Sequence, residues 1–185
     1  MLKETVAVVC LIITAPLIGV ARLAAILNYE SVFMALGCLL SLIPGKTGSY
    51  LRVAYYRGTL AEMHTSARIG FGSFFSKPTA RVGKGTFIGA YCVLGRVHIG
   101  DQVLIASRVS VTSGRHQHGD AGDGVRFGPT NFAAVSIGEK TWIGEGAIVL
   151  ASVGADCIVG AGAVVVSDIP DGSLAVGNPA RPKPR

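Results

Sequence analysis

The chain has 185 residues, half of them apolar, with 25 glycines, 7% aromatic and 15% charged residues and a net charge of +6. That length holds one domain plus an appendage, and a composition dominated by small and aliphatic residues excludes a helix bundle and a disordered chain alike. The positive charge invites an anionic partner; no nucleic-acid motif accompanies it, so a membrane surface or a phosphate-rich coenzyme is the better fit.

The first element in chain order is the stretch TVAVVCLIITAPLIGVARLAAIL, Thr5 to Leu27, whose one charge is Arg22. It is long enough to cross a bilayer, whereas the next apolar run, VFMALGCLLSLI from Val32 to Ile43, is too short. Pro16, Gly19 and Arg22 weaken a straight span, which favours an in-plane or re-entrant helical hairpin. A cleaved signal peptide and a soluble helical cap are the rival readings. The following PGKTGSYLRVAYYRG, Pro44 to Gly58, interleaves basic residues with tyrosines and a leucine, a mixture that suits a membrane interface. Residues 1–60 are therefore expected to be a membrane-associating segment and linker, and residues 61–185 a separate domain. The four cysteines, Cys10, Cys38, Cys92 and Cys157, form no C-x-x-C pair and are expected to be free thiols of a reducing compartment.

From about Ala67 the sequence follows a period near six. Aliphatic repeat starts fall at Ile69, Phe75, Val82, Ile88, Leu94, Ile99, Ile105 and Val111, and after a break at Ile137, Ile143, Val149, Val153, Val159 and Val165. Such a period predicts an all-β solenoid: one aliphatic side chain per repeat fills a narrow prism, and the glycine that often follows permits a corner where a Cβ would crowd. Sorting by threes puts Val82, Ile99, Ile137 and Val153 on one face, and Ile88, Ile105, Ile143 and Val159 on a second. Leu94, Val111, Val149 and Val165 fall on the third. The break is VTSGRHQHGDAGDGVRFGP, Val111 to Pro129, where the chain leaves the coil after about Ser113 and returns by Ile137. A loop over residues 114–134 inside so regular a solenoid is the place to expect chemistry.

The stretches VGKGTFIGAYCVLG, IGEKTWIGEG, IVGAGAVVVSDIP and VGNPARPKPR, the last lying in the C-terminal tail 171–185, closely resemble the hexapeptide-repeat acyltransferases. That resemblance implies a left-handed parallel β-helix with a protruding loop, assembled as a homotrimer with active sites between subunits. TSGRH resembles the lead-in to the family's catalytic histidine and gives that role to His116, with His118 as the alternative. Imidazole meets the requirement for a base that is neutral near pH 7, and no covalent nucleophile is needed for direct transfer. By motif match Gly144, Ala161 and Ser167 would line the pantetheine arm of acetyl-CoA, with Arg181 and Lys183 at its phosphates. GAYCVLG stands where many similar sugar acetyltransferases carry an asparagine, a departure in the acceptor half of the site.

The implied activity is O-acetylation of a sugar hydroxyl in a surface polysaccharide or its lipid-linked or nucleotide precursor, at the cytoplasmic face of the inner membrane. N-acetylation of an amino sugar is the alternative within the class. His98, eighteen residues before His116, is expected beneath it on the same corner. Three neighbouring histidines raise a zinc site like that of β-helical carbonic anhydrases. Those sites use a histidine pair four residues apart, whereas His116 and His118 are separated by one residue, so no metal is expected. A non-catalytic solenoid is the remaining alternative.

Overall fold

Pro44 has no amide hydrogen to give and Asn28 tolerates a left-handed backbone, and these two residues punctuate the N-terminal third into three helices. In a computed structural model, which describes residues 2–114 and 132–185 (backbone only for residues 2–4), α1 spans Leu2–Ile26, α2 Glu30–Ser41 and α3 Gly45–Thr59. Asn28 sits at φ +61°. The amide of Tyr29 donates to Ala24 O at 2.8 Å and that of Asn28 to Ala25 O at 3.1 Å, the pair of bonds that closes a helix end. Helix α3 narrows the expectation of a membrane-interface stretch: Lys46 and Arg57 are exposed, but Leu51, Arg52, Tyr55 and Tyr56 are all buried in protein. They plug the open first coil of the solenoid, where a stack of aliphatic side chains would otherwise end in water.

Arg52 is fully enclosed. Its Nη1 donates to Leu40 O (3.1 Å), Ser41 O (3.3 Å) and Ile43 O (2.8 Å) around the C-terminal end of α2, and Nε and Nη2 both donate to Ile69 O in the first coil. Desolvation lowers its pKa, while this ring of carbonyls, at the negative end of the α2 dipole, favours the charged form. Beside it, Tyr55 donates to Phe33 O at 2.9 Å and Tyr56 accepts from the Phe75 amide at 3.1 Å, within a Phe33, Tyr55, Tyr56 and Phe75 cluster of stacked and edge-on rings.

The remainder is a three-faced parallel β-solenoid. Face one pairs Glu62–Met63, Arg81–Val82, Val97–Ile99 and Val135–Ile137, and single bridges continue it through Val153 to Ile169. Face two runs from Arg68–Ile69 through Phe87–Ile88, Leu104–Ile105, Trp142–Ile143 and Ile158–Val159 to Ser173–Val176. Face three stacks Phe74–Phe75, Val93–Leu94, Ser110–Val111, Ile148–Val149 and Val164–Val165. Every repeat start points inward with no more than 4% of its surface exposed, and each lies on the face the period assigned to it. Burying one such side chain contributes about 1.5–3 kcal/mol. The period ran further than expected at both ends, with Met63 opening the core and Ile169 and Ala175 closing it.

Stacking also dictates the corners. A Cβ on Gly144 would lie 2.5 Å from the Ala161 amide nitrogen, and one on Gly89 2.6 Å from the Ala106 carbonyl carbon, so rigid backbone one coil on forbids a side chain at either position. Buried hydroxyls tie coil to coil: Ser73, Thr86 and Thr141 each donate to a carbonyl of the following coil and accept an amide from it. All four cysteines are free, and burial raises the Cys92 thiol above its ordinary value, so it is an inert part of the core.

Candidate active site

The interruption leaves the solenoid between faces three and one. Gly114 turns with φ +87°, the amide of Ala133 donates back to Ser113 O at 3.0 Å, and the amide of Val135 donates to Arg96 O at 2.9 Å. Two basic residues of earlier coils brace the returning strand: Arg96 Nη1 donates to Phe132 O at 3.1 Å, and Lys77 Nζ sits 4.3 Å over the Phe132 ring while pairing with Glu30 at 3.2 Å. Neither was singled out in the sequence. The available signal was that Arg96 follows Leu94 inside a shortened repeat. His116 and His118 lie outside the described residues.

His98 is not on this corner. It occupies the outer surface of face one, in register between Arg81 and Ser136, in a cleft that includes Glu62 and Asp101. It directly precedes the inward Ile99, so it is the outward residue of its strand, as Arg81 is before Val82 and Ser136 before Ile137. Among the described residues no three histidine, cysteine or carboxylate side chains lie close enough together to hold a metal ion.

The residues expected at the coenzyme divide between two corners. Gly144 and Ala161 follow face two in consecutive coils, in contact through the close approach described above. Val176 ends the same corner, and the closing strand Arg181–Pro184 runs back antiparallel beside it, placing Arg181 opposite Val176 and Lys183 opposite Leu174. Both cations are exposed. Ser167, by contrast, follows face three and lies on the corner from which residues 114–134 depart. One corner thus offers a smooth backbone edge ending in two cations, suited to a long chain that terminates in phosphates. The other carries the interruption.

The outer surfaces of the faces differ as sharply. Face one shows Glu62, Arg81, His98 and Ser136, whereas Phe87, Leu104 and Trp142 on face two and Val93 and Ile148 on face three are at least 40% exposed. Apolar columns of this kind need a covering partner.

A three-faced solenoid interrupted at one corner and closed by a cationic strand is a rigid repeat scaffold with a site attached to it. The family model described as hexapeptide repeat of succinyl-transferase matches residues 79–113 and 134–167. The chain is 36% identical over 160 residues to nodulation protein L of Rhizobium leguminosarum bv. viciae, covering 74% of this chain and 81% of that one. A maltose O-acetyltransferase from Clostridium difficile shares the fold with TM-score 0.72, 24% identity, and 89% and 90% of the two chains covered. A hexapeptide-repeat acetyltransferase from Vibrio cholerae has TM-score 0.69 at 25% identity over 83% of this chain and 90% of its own, and the same acetyltransferase from the O1 biovar eltor was also solved with acetyl coenzyme A. The chain belongs to the hexapeptide-repeat acyltransferases.

Proposed function

We propose that the protein is an acetyl-CoA-dependent O-acetyltransferase that works as a homotrimer at the cytoplasmic face of the membrane. Its acceptor is a sugar hydroxyl of a surface polysaccharide or of its lipid-linked or nucleotide precursor. The observation that carries this reading is the division of the expected coenzyme residues between two corners. One prism cannot line a single groove with both, but two neighbouring copies can: one contributes Gly144, Ala161, Arg181 and Lys183, and the other contributes Ser167 and the interrupted corner. The apolar column of face three, which joins those corners, is the surface such neighbours would cover. Introducing charge there, with Val93→Asp and Ile148→Asp together, is expected to convert a three-chain species into monomers in sedimentation experiments and to abolish turnover. A trimer that survives both changes would place the contact elsewhere.

In that groove His116 takes the proton of the acceptor hydroxyl as its oxygen attacks the thioester carbonyl. The new C–O bond forms, the C–S bond breaks, and the imidazolium returns its proton to the departing thiolate. Holding coenzyme and acceptor together on rigid corners supplies the proximity that makes direct transfer efficient. The test is thiol release from acetyl-CoA with a panel of nucleotide sugars, lipid-linked sugars, oligosaccharides and amino sugars. Release with hydroxyl acceptors is the expected result. Release confined to amino sugars would convert the reading to N-acetylation, and no release with any of them would refute it.

A further inference from the structure

The outermost helix is built inside out for water. On α1 the residues that face α2 and α3 are mostly small or polar, Cys10, Thr14, Ala21 and Ala24 with the single large Ile18, while the large aliphatic side chains Ile12, Ile13, Val20, Leu23 and Ile26 stand 53–77% exposed. A helix packed on a soluble domain shows the reverse arrangement. Only 17% of its most apolar window is buried, at a mean hydropathy of 2.4. The apolar surface does not stop there: Leu39 and Leu42 of α2 are 65% and 64% exposed, and beside them an apolar groove walled by Cys38, Phe74 and Tyr91 leads to the solenoid.

We infer that α1 and the exposed side of α2 form a platform that lies in the plane of the membrane, embedded in one leaflet without crossing it. This deepens the membrane placement proposed above and rests on it. The reason for the orientation is the attachment of α1 along its length. Cys10, Thr14, Ile18, Ala21 and Ala24 hold it to the helical layer over about 21 Å, and Arg22 Nε donates to Gly58 O at 2.8 Å near the far end of α3. Helix α3 carries Lys46, Arg52 and Arg57 and is plugged into the solenoid, so it cannot enter hydrocarbon. A helix bound side by side to it cannot cross the bilayer while that packing lasts.

Charge selects lipid as the occupant. Among the described side chains this layer exposes Arg22, Lys46 and Arg57 against a single carboxylate, Glu30, which is already paired with Lys77. Anionic headgroups complement that rim, whereas a second copy would bring the same cations against themselves.

The experiment uses the full chain and vesicles of equimolar phosphatidylcholine and phosphatidylglycerol, with phosphatidylcholine alone for comparison. Flotation with the anionic vesicles, weakened about tenfold by Ile12→Glu and Leu23→Glu together, is expected, with thiol release on a soluble acceptor retained. Truncation is a poorer test, because deleting α2 also removes Phe33 and the carbonyls that Arg52 serves. Orientation is read in a Trp142→Phe background carrying Ile12→Trp or Leu23→Trp, with bromine placed at shallow or deep positions of the lipid chains. These two positions share one face of α1 and lie about 16 Å apart along its axis. Equal, shallow quenching supports the in-plane platform. Quenching that places one near the bilayer centre and the other at the headgroups overturns the orientation while leaving membrane attachment intact. Failure to float with either vesicle, or lipid-independent association through this face that the double Glu variant abolishes, overturns both the platform and the membrane placement while thiol release still reports on catalysis.

Discussion

His116→Ala is expected to lower kcat by about 10²–10⁴-fold while the trimer and coenzyme affinity are kept. A positioned general base contributes that much, and the described ends of the interruption are well held: Ser113, Ala133 and Val135 are fixed by backbone bonds, and Arg96 and Lys77 hold Phe132. The acid limb of the kcat/KM profile is expected to disappear with the histidine. His118→Ala should cost far less and act chiefly on the acceptor KM. The reverse ranking in parallel assays would move the base to His118, and near-normal turnover in the double variant would remove the mechanism.

Arg52→Met is expected to destabilise the fold by on the order of 3 kcal/mol or more, read as a lowered urea midpoint with an unchanged slope. Methionine preserves much of the volume, so the loss reports the hydrogen bonds rather than a cavity. The guanidinium spans two segments far apart in the chain, the carbonyls from Leu40 to Ile43 on one side and Ile69 on the other. Without it, Ile43 O and Ile69 O lose the guanidinium donors that join the end of α2 to the first coil, while Leu40 O and Ser41 O keep only the amides of Ile43 and Gly72. Arg52→Lys should recover only part of the loss, since one ammonium cannot span both sides at once. An unaltered midpoint in the methionine variant would show that these carbonyls find other donors.

Much of the solenoid was legible as text because its physics is local and periodic. Each coil repeats the same three demands, an aliphatic side chain inside, a corner without a Cβ and a polar turn. Residues such as Ile88, Ile105, Ile143 and Val159 therefore announce a common face before any contact is known. The same regularity made the break after Ser113 visible as an exception. The candidate base was legible only through the resemblance carried by TSGRH, since nothing in the spacing distinguishes His116 from His118.

Tertiary structure decided everything that depends on residues remote in sequence or on accumulated register. Counting eighteen residues back from His116 placed His98 on a corner, whereas strand pairing puts it between Arg81 and Ser136 on the outer surface of face one. Pairing across coils divided Ser167 from Gly144 and Ala161 and brought Arg181 to the end of their corner. In α3, a basic and aromatic pattern reads equally well as a membrane interface or as a plug. Burial against the first coil chose the plug, because Arg52 and Tyr56 find carbonyl and amide partners there that no amphipathic pattern records. The N-terminal sequence declared that α1 is apolar; only its packing showed that its inward face is mostly small residues around Ile18 while most of the large ones point outward.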